Sequence, residues 1–141
     1  MKKVIVMLFV LLLTLTGSSF AQEQKDQGTK QIKPALLVID IQNVYLQMVP
    51  EREKEIGLYY INELIALFRK QGYPVIRVYH HNIESGPQPG TELFEFPASV
   101  AIKSDDPKVI KTYPDAFNKT ELDKVLKEKG SNTLFLCGLS A

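Results

Sequence analysis

Five consecutive apolar residues, Ala35-Leu36-Leu37-Val38-Ile39, end abruptly at Asp40. A run without alternation suits a strand whose two faces are both covered by helices, so it predicts an inner strand of a parallel sheet. A charge at the carboxyl end of such a strand stands at the edge where open α/β folds hold ligands. The rest of the chain keeps the same rhythm. From about Glu51 to Lys70, Ile56, Tyr60, Leu64, Leu67 and Phe68 recur at helical spacing, with Arg69 and Lys70 in the last turn and Gly72 as a stop. Pro74 to Tyr79 predicts a second strand, opened by a proline that needs no ladder donor there. Lys108 to Lys111 predicts a short third strand, and Thr133 to Cys137 a fourth. Between these two, Asn118 or Thr120 can cap a helix with the apolar face Leu122, Val125 and Leu126, ending at Gly130. From His81 to Asp106 the chain is irregular. Gly86-Pro87-Gln88-Pro89-Gly90 excludes helix and central strand, so a long loop over the sheet edge is expected. Strand–helix units of this length imply right-handed crossovers and an α/β fold: a three-layer α/β/α, Rossmann-like arrangement with a parallel doubly wound sheet.

The 141 residues, 45% hydrophobic and 23% charged, allow at most one domain of ordinary globular composition. The 17 basic and 16 acidic residues are spread along the chain, giving a net charge of +1. No basic block interleaves with aromatics, so nucleic acid is not expected as a partner. The first residues read differently. Lys2-Lys3 precede an apolar stretch from Val4 to Leu15, then small residues and Ser19-Phe20-Ala21. These are the three regions of a signal peptide over residues 1–21, cleaved after Ala21. The stretch is shorter than the roughly 20 apolar residues a bilayer requires, which argues against a membrane span. Residues 22–33 are polar and without period, a flexible leader, and the domain occupies residues 34–141. The expected location is secreted or periplasmic, with no stable membrane association after cleavage. Cys137 is the only cysteine, so no intrachain disulfide can form even in an oxidising compartment.

Few residues carry candidate chemistry. Asp40 alone suits a turn or helix-cap aspartate. A dinucleotide site would need a glycine-rich turn after this strand, and Ile41-Gln42-Asn43-Val44-Tyr45 stands there instead. A magnesium-assisted phosphatase with an aspartate nucleophile usually shows a second acid two positions on, where this chain has Gln42. Lys111 alone suits a solvated surface lysine. His80 and His81, adjacent in an extended segment, point to opposite faces and cannot easily share one ion. With no other histidine in the chain, a structural or substrate-facing role is favoured, and neither metal nor cofactor is expected. Phe94, Phe96 and Phe117 suit a pocket wall or a core equally well. Cys137, within Leu134-Phe135-Leu136-Cys137, suits a small buried hydrophobe.

Three segments, in order, resemble one family. Pro34-Ala35-Leu36-Leu37-Val38-Ile39-Asp40-Ile41-Gln42-Asn43 resembles the opening strand and Asp-x-Gln-Asn element of the isochorismatase-like cysteine hydrolases, the nicotinamidase/isochorismatase superfamily. The segment from Lys111 through Phe117 and Thr120 to Leu122 is similar to its Lys-x-x-x-x-x-Phe-x-x-Thr-x-Leu element. Leu134-Phe135-Leu136-Cys137-Gly138-Leu139-Ser140 is similar to the strand leading to its nucleophile loop. The resemblance covers Pro34 to Ala141 and implies a hydrolase acting on a small amide or related C–N substrate. In it, Asp40 and Lys111 are two of three catalytic residues, with Lys111 stabilising a thiolate and Asp40 taking the thiol proton. The third is a cysteine a few residues after Gly138, at the start of the next helix, so it is expected just beyond residue 141. Cys137 is then structural. The resemblance further implies a sheet incomplete at the C-terminus, with about two more strand–helix units to follow, and no activity for these 141 residues alone. The nicotinamidase branch carries an Asp-x-His metal element after the second strand, whereas His81 here precedes Asn82-Ile83-Glu84. A small-molecule substrate is the implied partner, a homo-oligomer is compatible, and the alternative is a non-catalytic binding module of the same fold.

Overall fold

The computed structural model describes residues 31–139; the expected signal peptide, and the expected leader up to residue 30, lie outside the described residues. The element order is β1 (Pro34–Ile39), α1 (Asn43–Leu46), α2 (Glu51–Lys70), β2 (Val75–His80), β3 (Lys108–Lys111), α3 (Leu122–Glu128) and β4 (Thr133–Gly138). All strand pairs are parallel, in the order β3-β2-β1-β4. The chain winds outward from β1 through β2 to β3, then returns to the other side of β1 as β4. The gap between β1 and β4 is therefore the point where the winding direction reverses, where doubly wound sheets open a crevice.

β1 is buried along its whole length, as its unbroken apolar run requires. Its side chains feed two separate cores. Leu36 and Val38 pack with Ile61, Ile65 and Phe68 of α2, and with Phe94, Phe96 and Val100 of the long loop. Ala35, Leu37 and Ile39 pack on the other face with Leu122 and Leu126 of α3. Helices on opposite faces make three layers, the α/β/α arrangement expected.

The helical period locates α2 but not the face it buries. Ile56, Tyr60 and Leu67 are 48%, 62% and 51% exposed, while Ile61, Ile65 and Phe68 carry the contact with the sheet. Apolar side chains run around more than half of this helix, so spacing alone leaves its orientation undecided. At α3, Asn118 plays no capping part. The Thr120 hydroxyl accepts the Leu122 N–H at 3.2 Å instead. The long loop reaches the carboxyl edge of the sheet, where the Glu95 and Leu93 carbonyls accept the Asn43 and Val44 N–H groups at 2.9 and 3.0 Å. It packs its phenylalanines on the same face as α2 and is stapled there by side chains. The Asn62 amide donates to the Ser99 carbonyl and accepts the Ala101 N–H, both at 2.8 Å. Arg69 donates to the Ala101 carbonyl and pairs with Asp106 at 2.6 Å. Along β4, Phe135 and Leu136 are exposed, on an outer strand without a single charge.

Candidate functional site

Asp40 leaves β1 with φ at 57°, in the left-handed region that aspartate tolerates better than most residues. Its N–H still donates to the Val78 carbonyl at 3.0 Å, the last β1–β2 ladder bond, before the chain turns away. Lys111 closes β3, two strands across, a gap of roughly 9–10 Å that only a long side chain can bridge. Its Nζ lies 2.8 Å from Asp40 Oδ2 and also donates to the Pro114 carbonyl at 3.2 Å. The two side chains are only 12% and 7% exposed, so this ion pair is held almost out of water. Each charge offsets the desolvation of the other, the condition for burying either. Asp40 Oδ1 is buried without a partner, which leaves the carboxylate one free acceptor.

Other side chains close around the pair. The Tyr45 phenol is pushed up by burial and then by the charge of Asp40. Burial, followed by the charge of Lys111, lowers the His80 imidazole below its ordinary value, so it is neutral at pH 7. His80 Nδ1 and His81 Nε2 are both buried without partners. The His81 ring meets Phe94 edge-on at 5.9 Å. Among the described residues, no group of three or more His, Cys, Asp or Glu could hold a metal ion. On β4, Gly138 has φ at 155°, and a Cβ there would meet the Ile39 carbonyl oxygen at 2.0 Å. Only glycine lets β4 come this close to the end of β1, where the Leu139 N–H donates to the same carbonyl at 3.3 Å.

The two residues singled out from the sequence, Asp40 and Lys111, are thus brought into contact. Cys137 is not brought to them as a reactive group. It packs against the α2-side core, and burial pushes its thiol up to about 11, so it stays protonated at neutral pH. Phe94 and Phe96 are core, stacked on Tyr79 at 5.3 and 4.2 Å between ring centres, while Phe117 is exposed. A cavity of about 650 Å³ lies between α1, the first half of α2 and the 92–99 segment, and neither Asp40 nor Lys111 lines it. Sequence reasoning missed Gln42, which meets the end of β2 through both amide atoms, at 2.7 and 3.1 Å. Its signal was a polar residue two positions after a strand-end acid, read as a missing second acid and as part of the Asp-x-Gln-Asn resemblance but given no role.

The isochorismatase domain model matches residues 34–141. The uncharacterized isochorismatase family protein YddQ of Bacillus subtilis is 35% identical over 114 residues, covering 74% of this chain and 61% of that protein. A crystal structure of an isochorismatase family protein superposes with a TM-score of 0.67 at 28% identity, over 76% of this chain and 64% of the other. N-carbamoylsarcosine amidase from Thermoplasma acidophilum gives a TM-score of 0.66 at 25% identity, over 76% and 68%. The chain therefore spans about three-fifths of the length of the curated relative it matches.

Proposed function

This chain belongs to the isochorismatase family, and on that premise we propose that it is the Asp- and Lys-bearing part of an exported hydrolase for a small amide or related C–N substrate. The observation that carries the reading is the buried Asp40–Lys111 pair, 2.8 Å apart beside the reversal of the sheet, with one carboxylate oxygen left free. A free, buried acceptor is what a general base needs before its partner arrives. The likeness to an amidase supports the substrate class.

In this reading the nucleophile is a cysteine supplied by chain beyond residue 141, after the Gly138 loop. Its S–H proton passes to Asp40 Oδ1, and the Lys111 ammonium stabilises the thiolate beside it. The thiolate adds to the substrate carbonyl carbon. Asp40 returns the proton to the departing nitrogen, the C–N bond breaks, and an acyl thioester remains. Water then cleaves the thioester, releasing a carboxylic acid and restoring the thiol. Cys137, its thiol raised to about 11, takes no part.

The test is release of ammonia or amine from a panel of small amides by the protein encoded by the intact gene. Asp40→Asn and Lys111→Ala should each lower kcat/KM by at least about a hundredfold, within the range general acid–base catalysis supplies. Cys137→Ala should leave turnover nearly unchanged. Activity lost with Cys137→Ala and kept with Asp40→Asn would overturn the assignment. Export is part of the same proposal: protein recovered outside the cytoplasm should begin at Gln22, and an intact Met1 there would refute that part.

A further inference from the structure

We propose that Gln42 is the positioning residue of this site: its side-chain amide replaces the peptide that β1 no longer offers to β2, and so holds Asp40 and His80 in place beside Lys111. The inference rests on the catalytic reading of the Asp40–Lys111 pair. Alternate peptides of a parallel strand face opposite neighbours. On β2, the N–H groups of Arg77 and His81 donate toward the β3 side, to Pro107 and Lys111 carbonyls, each at 2.8 Å. Val78 and His80 face β1. Val78 finds its partner in the Asp40 N–H at 3.0 Å, but β1 then turns away through the left-handed Asp40, leaving no strand opposite His80.

Gln42 fills that place. Its Oε1 accepts the His80 N–H at 2.7 Å and its Nε2 donates to the His80 carbonyl at 3.1 Å, while the residue itself is wholly buried. Both the backbone donor and the backbone acceptor of one residue are satisfied by one amide, a match neither glutamate (no donor) nor asparagine (one methylene shorter) can reproduce. The bracket spans the turn that carries Asp40, because Gln42 lies two residues beyond it. It also fixes the one residue of β2 that lies between the acid and the lysine. The next peptide, His81, is in turn bonded to the Lys111 carbonyl. Gln42, His80, His81 and Lys111 therefore form one bonded path around the ion pair. Without the bracket, the left-handed turn at Asp40 loses the contact that holds it in a disfavoured conformation.

A merely space-filling glutamine predicts different behaviour, and Gln42→Met separates the two, since methionine keeps the volume and removes both bonds. The protein is titrated by NMR through its two histidine rings, alongside a thermal melt and the amide hydrolysis assay. The expected result is a cooperative melt, a His80 titration moved up toward the ordinary imidazole value as the loosened ring gains water and leaves Lys111, and a kcat about tenfold lower with KM little changed. If the His80 titration stays put and kcat remains within about twofold of the parent, the proposal is overturned. Should no amide be hydrolysed even by the unaltered protein, the proposed function fails and the His80 titration alone decides this inference, for or against. If Gln42→Met does not fold, Gln42→Asn, too short to reach both groups, is read in the same way.

Discussion

Asp40 and Lys111 are tolerable together and costly apart. Both are nearly out of water, so removing one leaves the other charge buried with no counterion. Lys111→Ala should therefore destabilise the fold by about 3–5 kcal/mol, measured by urea denaturation. The double change Asp40→Asn with Lys111→Met removes both charges at nearly constant volume. It should recover most of that loss, while recovering no activity. A double variant as unstable as Lys111→Ala would mean that the pair is held by its surroundings and not by its own charges. At this scale the sequence was legible because each residue ends an apolar run, which marks a strand end. Gln42 was not legible in its role. Its two bonds run to a backbone 38 residues away, and no local pattern records a bond to a distant peptide.

At the scale of elements, α2 separates what period reveals from what packing decides. Its ends, Glu51 and Lys70, follow from acidic residues in the first turn, basic residues in the last and the stop at Gly72. Its buried face does not follow, because Ile56, Tyr60 and Leu67 are as apolar as the residues that touch the sheet. The prediction is a contrast between two isoleucines on one helix. Ile65→Ala, fully buried against β1, should cost about 2–5 kcal/mol through lost contact and a residual cavity. Ile56→Ala, 48% exposed, should stay within about 0.5 kcal/mol. Chemical denaturation of both variants checks this, and equal losses would mean that α2 is rotated from the orientation described. The long loop followed a similar course. Its glycines and prolines announced irregular chain, but its phenylalanines gave no sign of which face they would join.

For the molecule as a whole, stability at high pH reports acids kept neutral by folding: Cys137, Tyr79 and Tyr45. Burial raises the Cys137 thiol from 9.0 to about 11. It raises the Tyr79 phenol from 10.0 to about 12, with the charge of Glu95 adding to the effect. Above these unfolded values the unfolded chain sheds protons that the folded chain keeps, so stability falls as pH rises. The contribution of Cys137 is fully present below pH 9.0 and is lost on approach to about 11, and that of Tyr79 between 10.0 and about 12. Cys137→Ala should flatten the decline between pH 9 and 10, leaving the part above it to the raised phenols of Tyr79 and Tyr45. The urea midpoint, followed from pH 7 upward, measures this; an unaltered curve would mean that the thiol meets water.

The strand–helix alternation and the strand ends bearing Asp40 and Lys111 were set by the sequence, because each depends on residues adjacent along the chain. Apolar period, caps and glycine stops are local properties, and three-layer packing is their usual consequence. Tertiary structure alone decided that β4 returns beside β1, which places Gly138 against the Ile39 carbonyl and makes any larger side chain there impossible. It decided that Lys111 reaches across β2 to Asp40, since that contact joins positions 40 and 111 through the order of strands and not through spacing. It decided, too, which stripe of α2 is wet. These outcomes depend on which surfaces meet, and sequence patterns specify surfaces without specifying their partners.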